Sequence, residues 1–267
     1  MELGSIWAVS ATVIAGALTL LWLVSLPLKN VSIIDLFWGC GFVLIGWIGF
    51  LLGNGDSPRN LLVAVLTTIW GLRLAGYLTW RNWGESEDYR YRAMRASRGA
   101  AFAWISLFLV FGLQGVIMLI VALPVLVSVT STTPLGAVDA AGVLLWGTGL
   151  FFEAIGDWQL ARFKSRPENH GKVLDRGLWR YTRHPNYFGD FLVWWGLYLL
   201  AITAGGAWTV FSPLLMSLLL LKVSGVTLLE KSLHERRPAY ADYVRRTSPF
   251  FPWPPRHVES ESKQGTG

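Results

Sequence analysis

Long apolar runs are the feature that most constrains how this chain can fold. Seven such runs lie approximately at residues 6–26, 31–52, 61–80, 101–129, 135–163, 187–204 and 208–229. A helix of roughly 20 apolar residues crosses the hydrocarbon core of a bilayer, and lipid admits no irregular backbone. Charged residues make up 15% of the chain, against roughly 25% in soluble domains. The sequence therefore predicts an all-α, polytopic membrane protein with about seven transmembrane helices.

The distribution of basic residues predicts an orientation in the membrane. Lysines and arginines concentrate in residues 81–99, 164–183 and 236–246, whereas residues 128–134 carry no charge. The positive-inside rule places the three basic segments in the cytoplasm, so the amino terminus is expected outside and the carboxyl terminus inside. Glu2 is the only charged residue before the first run. This run is too long for a signal-peptide core and is expected to remain as a span. Much of the net charge of +6 is thus explained by topology, which argues against nucleic acid as a partner.

The remaining composition bounds the domains and cofactors. Residues 1–254 are expected to form one membrane domain, and residues 255–267 a disordered polar tail. A single cysteine, Cys40, excludes a disulfide framework or a cysteine-ligated metal. The four histidines lack paired helical spacing, so no metal site is expected. No glycine-rich nucleotide-binding loop is present, so any nucleotide would bind in the helical bundle itself.

Ionisable residues inside the apolar runs are costly and mark candidate sites. Glu153 and Asp157 lie four residues apart, hence on one helix face, with Lys164 two turns beyond Asp157. These residues predict a polar stripe that descends into the membrane.

A second polar stripe lies on the third run. Arg73, Tyr77 and Arg81 follow at four-residue spacing and end at Asn82, so the two stripes together predict a cavity open to the cytoplasm. Snorkelling to the interface is the alternative explanation for Arg81. Asp35 has an alternative structural role too, because it could pair with Arg73 and lock two helices together.

Residues 177–190 are the densest polar and aromatic segment, directly before an apolar run. Arg180 and Arg183 offer forked donors that suit phosphate, and Pro185 stands where a helix can begin, with first-turn amides that could bind an anion. Asn186 and Asp190 are again four residues apart. A basic patch against lipid head groups is the alternative for Arg180, Arg183 and His184, but it does not require the other polar residues. A ligand site is the favoured interpretation.

The residues 178–190, Leu-Trp-Arg-Tyr-Thr-Arg-His-Pro-Asn-Tyr-Phe-Gly-Asp, together with residues 230–252, resemble the steroid 5-alpha-reductase superfamily, especially its bacterial branch. The resemblance extends from about Asp35 to Pro254 and implies a seven-helix fold in the bacterial inner membrane. It also implies that NADPH binds between helices and cytosolic loops on a cytoplasmic cofactor face. The isoprenylcysteine carboxyl methyltransferases share the Arg-His-Pro-x-Tyr pattern, so the motif identifies a superfamily better than a reaction.

The resemblance assigns roles to individual residues. The acid of the family's second span corresponds to Asp35, shorter by one methylene than the usual Glu. The third-span Tyr falls on Trp70, whose indole donates a hydrogen bond but cannot transfer a proton as a phenol can, and Tyr77 is a second candidate donor. The cofactor contacts expected from the pattern and the resemblance are Arg73, Tyr77, Arg81, Asn82, Glu153, Asp157, Lys164, Arg180, Arg183, His184, Asn186, Tyr187, Asp190, Glu230, His234 and Tyr243.

The expected function is NADPH-dependent reduction of the carbon–carbon double bond of an apolar enone, foremost a 3-oxo-Δ4 steroid or a related sterol or isoprenoid. One alternative is an S-adenosylmethionine-dependent methyltransferase of the isoprenylcysteine type, although several arginines and a lysine around one pocket better suit a ligand with multiple phosphates. Another alternative is a lipid transporter or scaffold, which the lack of an inverted repeat disfavours. The expected partners are the apolar substrate and membrane lipid, and the sequence leaves the natural substrate and the oligomeric state open.

Overall fold

A computed structural model describes residues 1–53, 57–223 and 239–256. These residues are helical throughout, apart from turns, loops and one isolated bridge between Thr182 and Ser248. Six stretches of the described residues are long and apolar enough to cross a membrane. The prediction of an all-helical fold is therefore confirmed for the described residues, and six of their stretches have the length and composition that membrane spans require.

The first three predicted spans form the helices α1 (Leu3–Leu28), α2 (Ile33–Leu52) and α3 (Pro58–Asn82). The start of α3 follows from local sequence, because Pro58 needs no amide partner at a first helical position and the Ser57 hydroxyl accepts a hydrogen bond from the Arg59 amide at 3.2 Å. The packing of α2 against α3 brings Gly39 against Gly71, where an added Cβ on either residue would collide with the backbone of the other. Glycine at both positions is what allows the two backbones to approach so closely.

The fourth predicted span begins earlier than the sequence indicated. Residues 81–99 were expected to be a basic loop, but α4 (Tyr89–Arg98) lies within them, begun by the Asp88 side chain, which accepts a hydrogen bond from the Arg90 amide at 2.9 Å. The helix then continues through α5 (Phe102–Ser106), a π-helical stretch and α6 (Leu113–Val121), before α7 (Leu123–Val129). Its basic first part is missed by hydropathy because a polar helix carries no apolar signal.

The remaining described helices are α8 (Ala137–Lys164), α9 (Pro185–Ala201), α10 (Phe211–Leu218) and α11 (Ala239–Arg246). The predicted sixth span and the first part of the predicted seventh span, up to residue 222, fall within one apolar stretch, Pro185–Lys222. Gly205 interrupts this stretch with a φ of 85°, a conformation that glycine adopts without a steric penalty. The last predicted span continues to residue 229, beyond the described residue 223, so a count of seven stays a prediction.

The chain divides into two compact units that are not continuous in sequence. Unit one comprises Met1–Val143 and Gly196–Pro213, and unit two comprises Leu144–Trp195 and the described part of Leu214–Gly267. The segment 257–267, most of the predicted tail, lies outside the described residues.

A buried ion pair joins three separate segments of unit one. The Arg59 guanidinium binds both carboxylate oxygens of Asp139, at 2.5 and 2.8 Å. The same guanidinium group lies within hydrogen-bonding distance, 2.8–3.0 Å, of the carbonyl oxygens of Thr133, Pro134 and Leu200 and of the Thr203 hydroxyl. Neither side chain of the pair is more than 3% exposed. The start of α3, the start of α8 and the end of α9 are thereby held by one guanidinium group.

We expect Asp139→Asn to destabilise the protein by about 3–5 kcal/mol, because it strands a buried guanidinium without its counter-charge. Thermal unfolding in detergent measures the effect. The double variant Arg59→Met/Asp139→Leu should recover part of the loss, since it removes both charges. Arg98→Gln, a change at an exposed arginine of α4, is the control and should leave the melting temperature unchanged. A normal melting temperature for Asp139→Asn would contradict the structural role of the pair.

Candidate functional site

Asp35 lies in the first turn of α2, within a polar cluster of unit one. Its carboxylate is 3.9 Å from the Arg90 guanidinium of α4. The Tyr91 hydroxyl faces the same carboxylate and accepts a hydrogen bond from the Gln114 amide at 3.3 Å. The alternative that Asp35 pairs with Arg73 is therefore wrong, because α4 packs a different arginine against this end of α2.

Arg90 is bound more tightly to Asp88 than to Asp35. Its guanidinium donates to both carboxylate oxygens of Asp88, at 2.9 and 3.2 Å, and it also lies over the Tyr91 ring. A forked pair of this kind occupies most of the donor edge of the guanidinium group. Asp35 is consequently the weaker of the two carboxylate partners of Arg90.

Glu87 and Asp88 fix the position of this cluster by binding the turn that precedes α2. The Glu87 carboxylate accepts from the Val31 amide at 2.9 Å, and the Asp88 amide donates to the Ser32 hydroxyl at 2.8 Å. Arg95 donates two further hydrogen bonds to Glu87. Burial alone would raise the pKa of Glu87, but the hydrogen bonds from Arg95 and the Val31 amide outweigh it and hold the pKa below its usual value. The segment before α4 is thus tied to the turn that carries Asp35.

The polar stripe of α3 continues toward the same cluster. The Arg81 guanidinium lies 5.6 Å from the centroid of the Tyr77 ring and donates to the Asn82 side chain at 3.1 Å. Arg81 is also close enough to Asp35 to act on it electrostatically. Arg73 is half-buried one turn before Tyr77. Trp70, in contrast, is fully buried and packs edge-on against Phe42 at 5.6 Å, a position in the core.

In unit two, glycines bring α8 and α9 into backbone contact beside the predicted polar stripe. A Cβ on Gly149 would lie 2.5 Å from the Gly189 carbonyl oxygen, and one on Gly189 would collide with the backbone of Glu153. Next to this contact, the Asn186 amide donates to the Asp157 carboxylate at 3.0 Å. The structure therefore unites residues that the sequence placed on separate helices. Glu153, Asp157 and Asp190 are all buried here, at 3%, 4% and 8% exposure.

In the segment before α9, the two arginines that were predicted to bind the cofactor differ in burial. Arg183 is buried at 7% exposure, together with His184, whose ring stacks on Tyr187 at 5.7 Å. Arg180 is exposed. As predicted, the helix that follows begins at Pro185.

Residues 247–253 hold this segment in place. The Arg183 amide donates to the Ser248 carbonyl at 3.0 Å, the Thr182 hydroxyl donates to the Phe250 carbonyl at 2.7 Å, and the Trp253 amide donates to the Tyr181 carbonyl at 3.0 Å. These three hydrogen bonds hold residues 181–183, which have little regular secondary structure of their own.

Tyr243, another predicted cofactor contact, is buried in the same part of unit two. Its hydroxyl donates to the Trp179 carbonyl at 2.5 Å, and its ring packs near Tyr240. Tyr243 therefore supports the 177–184 segment from α11. Lys164 is exposed at the end of α8, and Glu230 and His234 lie outside the described residues.

Sequence reasoning missed Arg90, Tyr91 and Gln114 beside Asp35. Residues 81–99 and the start of α2 were predicted to share one side of the membrane, which made a contact between them possible. The pattern gave no sign of which arginine faces Asp35, because α4 has four arginines at positions 90, 92, 95 and 98. Within the described ranges, no group of three or more His, Cys, Asp or Glu residues could hold a metal ion.

The helices and their buried polar clusters define a polytopic membrane protein. Residues 21–247 match the family described as "Protein of unknown function (DUF1295)". The chain belongs to this family.

An uncharacterized protein of Schizosaccharomyces pombe, C594.04c, is 27% identical over an alignment 266 positions long, which spans 87% of this chain and 75% of the yeast protein. No solved structure matches the chain.

We expect Gly149→Ala to lower the melting temperature strongly, because the new methyl group must push α8 and α9 apart at the Gly189 carbonyl. Gly147→Ala is a matched control on the same helix, since a Cβ there meets nothing within 4 Å. That control should be neutral or slightly stabilising, as alanine favours a helix over glycine. Equal melting temperatures for the two variants would show that the close contact does not support the site.

Proposed function

We propose that this protein is a membrane-embedded, NADPH-dependent reductase of the carbon–carbon double bond of an apolar enone, such as a 3-oxo-Δ4 steroid or a related sterol or isoprenoid. The observation that carries this proposal is the group of polar side chains around Asp35, here called the Asp35 cluster, which consists of Asp35, Asp88, Arg90, Tyr91 and Gln114. It places a carboxyl group and a phenol side by side at the end of an apolar helix bundle. Reduction of an enone requires a proton donor near its carbonyl oxygen, whereas methyl transfer from S-adenosylmethionine does not.

The polar residues of unit two suit the cofactor. Arg183, Arg180 and Lys164 are cations that could hold its phosphates, and Asn186, Asp157 and Asp190 offer amide and carboxylate groups to its hydroxyl and carboxamide groups. NADPH, when bound, would supply the hydride that adds to the β-carbon of the enone. The earlier assignment of cofactor contacts to Arg73, Tyr77, Arg81 and Asn82 of α3 stays a prediction from the resemblance.

The residues of the Asp35 cluster have distinct proposed roles in the reaction. As the hydride adds, the electrons of the double bond shift toward the carbonyl oxygen, and a hydrogen bond from Asp35 or Tyr91 would stabilise the developing negative charge. Tyr91 supplies the phenol that the resembled family carries at the position of Trp70. Arg90 is mostly engaged by Asp88, so Asp35 need not remain ionised. A proton delivered to the α-carbon then completes the reduction.

The proposal includes an orientation. The basic segments 81–99, 164–183 and 236–246 would lie in the cytoplasm, where NADPH is available, with the carboxyl terminus on the same side. The substrate would enter from the lipid, because the chain exposes large apolar side chains along its spans.

Asp35→Asn and Tyr91→Phe test the proposed chemistry. Each should slow single-turnover enone reduction by about 100-fold or more, in the range of general acid catalysis, while NADPH affinity is retained. The matched control is Tyr89→Phe, because Tyr89 is an exposed tyrosine of the same helix, at 55% exposure. All four proteins are compared by melting temperature, NADPH affinity and turnover of a 3-oxo-Δ4 steroid.

Normal turnover per folded molecule in both variants would remove the Asp35 cluster from the mechanism and transfer the donor role to Tyr77. Retention of S-adenosylmethionine instead of NADPH after gentle purification would replace the reductase proposal with methyl transfer. Retention of lipid alone, without either cofactor, would favour a transporter or scaffold.

Arg180 tests the cofactor-phosphate assignment without disturbing the core, because its side chain is exposed. We expect Arg180→Gln to weaken NADPH binding about tenfold, which corresponds to roughly 1.4 kcal/mol. If the affinity for NADPH falls and the affinity for NADH does not change, Arg180 contacts the 2′-phosphate. If both affinities fall equally, Arg180 contacts the pyrophosphate. Unchanged affinity for both nucleotides, matching the Arg98→Gln control, would leave Arg180 as a head-group contact.

A further inference from the structure

Unit two contains a cavity of about 340 Å³ that the proposed reaction does not use. Its walls come from the last turns of α8 and from the loop that follows, and they include Trp158, Arg162, Phe163, Arg166 and Arg176. Three cations thus converge on one small cavity that also has an aromatic wall. Sites of roughly 300–1,000 Å³ accommodate small ligands, so the cavity suits a compact charged group rather than a complete dinucleotide.

Aromatic rings orient two of the guanidinium groups at this cavity. Arg162 lies over the Trp158 ring at 5.3 Å from its centroid, and Arg176 lies over the Phe163 ring at 5.9 Å. A stacked guanidinium keeps its in-plane N–H edge available for an oxyanion. Among the described residues, no carboxylate forms an ion pair with Arg162, Arg166 or Arg176. All three guanidinium groups are also exposed, so they are accessible to an anionic group of another molecule.

The glutamine between Trp158 and Arg162 fixes the loop that closes the cavity. Gln159 accepts a hydrogen bond from the Leu178 amide at 3.0 Å, directly beside Gly177, whose φ is 63°. A Cβ on Gly177 would collide with the Gln159 side chain at 2.5 Å. The loop that carries Arg176 is thus positioned against α8 rather than free to swing away.

This cavity is separate from the proposed cofactor residues of α8. Arg162 follows Glu153 by nine residues, which is about half a turn around the helix at 3.6 residues per turn. The helix therefore presents Glu153 and Arg162 in opposite directions. A ligand of this cavity would therefore be a different molecule from the NADPH proposed to bind beside Glu153 and Asp157.

We propose that this cavity binds the phosphate of an anionic glycerophospholipid. The cavity lies at the end of α8, a helix long and apolar enough to cross a membrane, so lipid head groups would be within its reach. Trp158 is 54% exposed, as interfacial tryptophans commonly are. The phosphodiester would accept hydrogen bonds from the three arginines, and the acyl chains would extend along the apolar surface of α8. The bland alternative is that the arginines only offset the partial negative charge at the end of the helix, but this does not explain why Arg176 approaches from a separate loop.

The test compares lipid retention by native mass spectrometry. Purified protein in detergent receives equal amounts of phosphatidylglycerol or phosphatidylcholine with identical acyl chains. We expect the wild type to retain phosphatidylglycerol in preference, and Arg162→Gln/Arg176→Gln to reduce that retention about tenfold or more. The control, Arg92→Gln/Arg98→Gln, removes the same charge from exposed positions of α4 and should change retention less than about twofold.

Four outcomes would overturn the proposal. Equal loss in the two double variants would reduce the effect to general surface charge. Displacement of the lipid by millimolar inorganic phosphate would indicate a soluble anion, and displacement by NADP⁺ would make the cavity part of the cofactor site.

If thermal unfolding shows that the double variant does not fold, Arg176→Gln alone is compared with Arg98→Gln, because residue 176 lies in a loop outside the helices. Retention by this single variant equal to that of the wild type would also overturn the proposal.

Discussion

The free-energy cost of an unpaired charge in an apolar environment determines which helix ends of this protein lie together. Unit one can bury Arg59 only because Asp139 and four further oxygen atoms surround its guanidinium group. The same requirement shapes the Asp35 cluster, where Arg90 is shared between Asp88 and Asp35. Each arrangement connects segments far apart in sequence, since no single helix carries enough partners. Charges therefore determine which helix ends meet, while apolar side chains fill the space between them.

Glycines set the distance between the helices that carry these charges. The contact of Gly39 with Gly71 lies one turn after Asp35 on α2 and close to Arg73 on α3, and the contact of Gly149 with Gly189 lies one turn before Glu153 on α8 and beside Asp190 on α9. Polar side chains next to such contacts face a neighbouring backbone at short range and have few conformations open to them. In lipid, where helix association gains little from the hydrophobic effect, close packing of this kind provides much of the attraction.

Features that depend on composition and spacing, such as the long helices, could be predicted from the sequence. The partner of a given charged or polar side chain could not. Apolar runs located the long helices, and Pro185 marked the start of α9, because both signals are local. Pairing Asp35 with Arg73 was wrong, since the choice among arginines depends on how α4 packs, and its polar sequence concealed that α4 is a helix at all. The Arg59–Asp139 pair was missed for a related reason: each residue stands near the start of a run and resembles an ordinary interfacial charge. Asn186 could be placed on one helix face with Asp190, but its bond to Asp157 depends on glycines of two different helices.

The dependence of residues 181–183 on residues 248–253 imposes an order on biosynthesis. The backbone and hydroxyl bonds of Tyr181, Thr182 and Arg183 all end on residues that the ribosome adds more than 60 positions later. Until residue 253 has left the exit tunnel, the segment before α9 must stay open or find substitute partners, although α8 and α9 can already be in the bilayer. A ribosome that stalls, or a stop codon introduced before this point, would therefore yield a protein that is inserted in the membrane yet lacks a formed Arg183 region.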